Sequence, residues 1–204
     1  LKEDSIPGSF HPHYYNFQPE HVFHLAAQPR VAFSVKDPVK AMENNAYATS
    51  IVLNFCRKVG SVKRLIFSSS SSVIGNGDGP ESPYALQKYF SELDCKLNSK
   101  LYGFDTVSLR YFNVYSPDQP ADGPYTTAIA NWMEYIRQDK VPYITGTGDQ
   151  RRDMVNVKDV VSANIFAMKH KQNFKGKVFD VGTGNNISLN EIKSIINSIL
   201  PQIK

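Results

Sequence analysis

Tyr84 and Lys88 stand four residues apart in the stretch SPYALQKYF, so in a helix their side chains share one face. A lysine so placed lowers a tyrosine's pKa electrostatically from its ordinary value near about 10, giving a phenolate base that can take a proton from a hydroxyl group. Taken alone, such a pair is common on helix surfaces. The serines at 68–72 change its meaning, because they follow without a break on the apolar run RLIF at 64–67. A flexible serine linker would not continue an apolar strand. At the carboxyl end of a strand, where open α/β sheets bind ligands, a serine hydroxyl can hydrogen-bond the same oxygen that the tyrosine deprotonates.

The elements that must hold these groups follow from periodicity. VFHLAA at 22–27 and the run at 62–68 read as strands buried on both faces, and TVSLRYF at 106–112 as a third. Pro38 opens a helical pattern through Met42, Ala46, Thr49, Leu53 and Cys56 that ends near Gly60. After Tyr84, the apolar positions Leu86, Phe90, Leu93, Leu97 and Leu101 recur at helical spacing, and Gly103 stops that helix. Further on, 125–139 reads as helix, 141–144 as extended, 159–170 as helix with Val160, Ala163 and Ala167 inward, and 178–181 as strand. Ser188 and Glu191 form a capping box for a last helix. Residues 1–20 have no sustained period and read as irregular, His11 and His13 included. Buried strands alternating with helices of this length predict an α/β fold, a Rossmann-like doubly wound parallel sheet with right-handed crossovers.

Composition narrows the function classes. With 204 residues the chain is long enough for one large core, and 41% hydrophobic against 21% charged residues is ordinary for a globular protein. No apolar run reaches the roughly 20 residues of a membrane span, and the polar first residues do not read as a signal peptide, so a cytoplasmic protein is expected. Cys56 and Cys95 lie apart in helical patterns without ligand neighbours, which points to reduced structural thiols and to no metal. A net charge of +4 spread along the chain does not call for nucleic acid.

HLAA, FSSSSSVIG, SPYALQK, LRYFNVY and GDQRRDMVNVKDV, in this order over residues 20–195, resemble the extended short-chain dehydrogenase/reductase family, specifically its nucleotide-sugar epimerases and dehydratases. The resemblance implies NAD as cofactor and a UDP-sugar as substrate. It implies Tyr84 as base, Lys88 as the residue that binds the nicotinamide ribose and tunes Tyr84, and Ser70 as the hydroxyl on the substrate oxygen. Leu25, Ala26, Ala27, Asn44, Ser68 and Tyr111 would attend the cofactor. Ser71, Ser72, Asn113, Tyr125 and Arg152 would attend the substrate, Arg152 gripping its diphosphate as guanidinium does well. Where dehydratases of the family carry an Asp-Glu pair and decarboxylases a Glu, this chain has Ser71 and Ser72, which favours epimerisation at C4 of a UDP-hexose. The family also implies a homodimer paired through helices such as 39–58 and 84–101.

The sequence departs from that pattern in one large respect. No strand, glycine-rich turn and helix of the kind that holds a pyrophosphate precedes Val22, and the glycines at 75, 77 and 79 do not substitute for it. The loop after the serines is also short, with Ile74 where a tyrosine is common. The expected division is therefore an N-terminally incomplete cofactor part, 1–112 with 153–182 contributing, and a small substrate-binding part, 113–152 with 183–204. Two readings follow from the gap: an enzyme whose cofactor site lies partly outside these residues, or a non-catalytic or partner-completed nucleotide-sugar binder of the same fold.

Overall fold

The structure is a computed structural model that describes residues 12–119 and 127–200. In chain order the elements are α1 (Pro12–Phe17), β1 (His21–His24), α2 (Val31–Lys36), α3 (Pro38–Met42), a π-turn at Glu43–Tyr47, α4 (Ala48–Val59), β2 (Arg64–Ser70), a 3-10 turn at Ser71–Val73, α5 (Pro83–Tyr102) and β3 (Asp105–Tyr111). There follow β4 (Asn113–Tyr115), α6 (Ala128–Arg137), β5 (Arg151–Asn156), α7 (Val157–Lys169), β6 (Lys177–Val181), β7 (Asn186–Ser188) and α8 (Leu189–Ile199). The chain forms two compact units, Leu1–Tyr111 with Val161–Asp180, and Phe112–Val160 with Val181–Lys204.

The first unit is built on a Rossmann-like sheet of order β1-β2-β3-β6, with β1, β2 and β3 parallel. Residues of β2 from Arg64 to Ser69 are buried, as a central strand covered on both faces requires. Leu53, Phe55 and Cys56 of α4 pack with Leu65 and Phe67 of β2, Cys95 of α5 and Phe104 into the core. Both cysteines are free, and burial pushes the Cys56 thiol up to about 12, so it is inert at neutral pH. In the second unit β5 pairs parallel to β4 and antiparallel to β7, and Ser188 and Glu191 close the capping box at the start of α8.

Several elements depart from the expectations above. The 12–17 stretch is helical, and α2 and β5 have no strong period of their own in the sequence. The first strand ends at His24, where its pairing with β2 ends, so Leu25, Ala26 and Ala27 form the loop beyond it. Residues 141–144 join no sheet among the described residues. The helix expected from Pro38 runs to Val59 but widens into the π-turn on the way.

The most informative departure is α5. Its start is fixed by Ser82, whose side chain accepts the Ala85 N–H, and by Pro83; its end is fixed by Gly103 in the left-handed region at φ 78°. Yet the apolar positions that announce it, Leu86, Phe90, Leu93, Leu97 and Leu101, are exposed, while Gln87, Lys88, Ser91, Glu92 and Asn98 are buried. The polar face points inward because it finds partners there. Glu92 accepts Ser69 Oγ–H at 2.5 Å and both Nε–H and Nη2–H of Arg110 at 2.8 and 2.7 Å, tying α5 to β2 and β3.

At the other end of the sheet, Arg64 donates to Asp105 at 2.7 Å, and both side chains are almost fully buried. The remaining guanidinium N–H groups donate to the carbonyls of Ala167, Met168, His170 and Gln172, at and just beyond the end of α7. Asp105 also accepts the Phe174 and Lys175 amides. Arg64→Ala would leave a buried carboxylate unpaired and these carbonyls uncapped, a loss of roughly 3–5 kcal/mol that urea unfolding should register.

Candidate active site

Tyr84, the second residue of α5, is buried, and the Ser70 hydroxyl at the end of β2 hydrogen-bonds its phenol. The direction of that bond follows from Ser72. Ser70 Oγ accepts the Ser72 N–H at 3.2 Å and the Ser72 O–H at 3.0 Å, which leaves its own proton to donate to Tyr84. Burial raises the phenol's pKa above its ordinary value, and the Ser70 bond opposes the rise. The net shift of Tyr84 is thus upward, with burial outweighing the lowering by Ser70. The Lys88 ammonium sits 5.9 Å from the Tyr84 ring centroid and 4.8 Å from that of Phe67, and donates to the Ser68 carbonyl at 2.7 Å. Burial lowers Lys88 to about 8 against the opposing pull of Cys95 and Glu92, so it stays mostly charged at neutral pH but can lose its proton not far above it.

Behind this pair, Ser68 Oγ lies 3.0 Å from the Tyr111 hydroxyl, which also bonds the Asn164 side chain. Leu25 and Ala26 are exposed and Ala27 half-buried, an apolar strip at the carboxyl end of β1. Ser71 and Ser72 are half-buried on the 3-10 turn beside Ser70. The following loop closes tightly: Gly75 adopts φ +58° and a side chain there would collide with the Gly79 carbonyl.

Asn44 and its neighbour Asn45 stand on different sides of the helix. Asn44 faces solvent and donates to the Lys40 carbonyl, whereas Asn45 is buried, accepts the Gln28 N–H at 2.7 Å, donates to the Gln28 carbonyl at 3.2 Å and lies 2.7 Å from Gln87. The π-turn causes this by rotating the helix at Glu43–Tyr47. In the second unit, Asn113 donates to the Asp153 carbonyl, and Arg152 is exposed. Asp153 is not its partner: burial alone would raise that carboxyl, but the Thr183 and Gly184 donors hold it below its usual range. Tyr125 lies outside the described residues.

Four residues near the pair escaped the sequence reading: His24, Ser34, Asn45 and Asn164. His24 donates no charge to the site. Its Nε2 lies 2.9 Å from Thr49 Oγ1, which itself donates to the Asn45 carbonyl, so the ring carries its proton on Nε2. Ser34 is fully buried and accepts the Tyr84 backbone N–H at 3.0 Å.

The sequence profile of the NAD dependent epimerase/dehydratase family matches residues 12–182. The chain belongs to that family. A putative UDP-glucose 4-epimerase of Methanocaldococcus jannaschii is 36% identical over 187 residues, 87% of this chain and 60% of the relative. The UDP-N-acetylglucosamine 4-epimerase of Methanobrevibacter ruminantium, solved with UDP-N-acetylmuramic acid, is 36% identical with a TM-score of 0.84, over 90% of this chain and 62% of that one. The UDP-glucose 4-epimerase of Thermotoga maritima, solved with UDP-glucose, is 33% identical with a TM-score of 0.87, over 94% and 65%. The chain thus spans somewhat under two thirds of the length of these proteins.

The residues present fit the nicotinamide end of NAD. The apolar strip follows the carboxyl end of β1, and the Lys88 ammonium is held on the Ser68 carbonyl near the carboxyl end of β2, the side on which such a sheet takes its ligands.

Buried His24 also sets a pH dependence. Its pKa falls from 6.5 to about 4, mainly through burial and then through the Lys88 charge. Between those values the unfolded chain binds a proton that the folded chain refuses, so stability falls as pH drops through the window, by roughly 3 kcal/mol once complete. Urea unfolding of the protein and of His24→Gln at pH 7 and pH 4.5 should show the larger loss in the unmodified protein.

Proposed function

We propose that the protein epimerises a nucleotide sugar at C4 of a UDP-hexose, with Tyr84 as the base. The observation that carries this reading is the Ser70 hydroxyl aimed at the Tyr84 phenol by two bonds from Ser72. A binding module has no use for a buried phenol so arranged. NAD, when bound, supplies the electron acceptor for transient oxidation of the sugar carbon. Tyr84 takes the hydroxyl proton and later returns it, and Ser70, which donates to the free phenol, turns its proton to the same substrate oxygen when the sugar is bound. Lys88, whose lowered pKa of about 8 still leaves most of it protonated at neutral pH, stabilises the phenolate and is a donor for the ribose. Leu25, Ala26 and Ala27 give the flat apolar surface a nicotinamide needs, and Asn45 holds the loop that carries them.

Ser71 and Ser72 stand where an acid would be required for dehydration, which supports inversion over elimination. Arg152, exposed and unengaged by Asp153, and Asn113 are assigned to the diphosphate on their chemistry. Buried free thiols accord with a cytoplasmic site of action. The test uses the full-length protein: denature it, assay for released NAD, then incubate it with UDP-glucose and UDP-N-acetylglucosamine. Tyr84→Phe should abolish C4 inversion while UDP-sugar affinity stays within about twofold. Affinity without turnover in the unmodified protein would instead favour the partner-completed or non-catalytic binder.

We also propose a homodimer through the outer face of α5. Leu86, Phe90, Leu93, Leu97 and Leu101 form an exposed apolar stripe along it, of the kind that marks an association surface. Light scattering at micromolar concentration should give a dimer, and Leu93→Glu with Leu97→Glu should shift it to monomer; a monomeric unmodified protein would sink the idea.

A further inference from the structure

The start of α5 has three backbone positions to satisfy in its first turn, and this chain meets each differently. Pro83 carries no N–H, the Ala85 N–H goes to the Ser82 side chain, and the Tyr84 N–H goes to Ser34, 50 residues earlier. Ser34 itself is fully buried, and its hydroxyl proton is committed to the Val31 carbonyl at 2.7 Å, so its oxygen can only accept from Tyr84. The segment that carries Ser34 is fixed at its other end too, since Asn45 grips both the N–H and the carbonyl of Gln28. One short stretch, 25–34, therefore bears the apolar strip assigned to the cofactor and also pins the backbone of the residue assigned as base.

We propose that Ser34 is a positioning residue for Tyr84: by holding the Tyr84 amide it sets where the phenol lies against Ser70, and so couples the loop after β1 to the base. This rests on the reading of Tyr84 as base. Without the Ser34 oxygen, the Tyr84 N–H is buried and unsatisfied, and the first turn of α5 shifts to find another acceptor. The phenol then leaves the Ser70 donor, the hydrogen bond that holds its pKa down against burial.

The experiment compares the full-length protein with Ser34→Ala and Ser34→Gly, both smaller than serine, using two readouts. The first is the titration of the Tyr84 phenol, taken as the ultraviolet phenolate absorbance that Tyr84→Phe removes. Both variants are expected to raise that midpoint by about half a pH unit or more, because the Ser70 donation is lost. The second is steady-state epimerisation, in which kcat is expected to fall about tenfold or more with KM within about twofold. An unmoved phenol midpoint in both variants overturns the proposal, even if they are less stable, since a purely structural serine would give that result. A shifted midpoint in a protein that epimerises neither sugar leaves Ser34 as the positioner of Tyr84 and overturns the assignment of Tyr84 as base.

Discussion

The buried pairing of Arg64 with Asp105 is the constraint on which the first unit depends. It joins the first residues of β2 and β3, which face each other in the sheet, and it draws in the end of α7 and the turn after it through backbone carbonyls and amides. A buried ion pair is weak evidence of stability when its spare donors are unmet, because desolvation offsets the attraction. Here a single guanidinium addresses five acceptors, so little of the penalty remains uncompensated. The register of β2 follows from this anchor, and with it the height at which Ser68, Ser69 and Ser70 emerge at the opposite end.

That end is organised by a second polar layer. Each of the three serines at the end of β2 is used in a different direction. The Ser68 carbonyl holds Lys88 and its hydroxyl meets Tyr111, Ser69 reaches Glu92, and Ser70 turns to Tyr84. Helix α5 answers all three with its inward face, which is why that face is polar. A hydrophobic inward face would pack as well but could not orient a phenol, an ammonium and a carboxylate on one strand.

Much of this could be read in the sequence where the cause is local. The boundaries of α5 follow from Ser82, Pro83 and Gly103, and those of α8 from Ser188 and Glu191, because capping is decided within a few residues. The Ser70, Tyr84 and Lys88 constellation stands out through the strand that runs into the serines. Ser34 could not be found this way, since its partner is 50 residues distant and a six-residue helix leaves no strong period. Which side of α5 faces inward was equally hidden: periodicity shows that two faces differ, and the partners on β2 and β3 decide which is buried. Asn45 was missed because the resemblance pointed only to its neighbour Asn44 and nothing in the sequence marks the π-turn that brings Asn45 inward.

That last miss points to what the π-turn at Glu43–Tyr47 does. A wide turn adds close to one residue without breaking the axis, and one residue is about 100° of rotation. The stretch from Pro38 to Val59 is thus mechanically one rod but azimuthally two, with its halves aimed independently. Ala48–Val59 can keep Leu53, Phe55 and Cys56 in the core while the turn above swings Asn45 toward the Gln28 loop. A straight helix would have had to choose between a packed core and an anchored loop; a phase slip of one residue lets the same rod serve both.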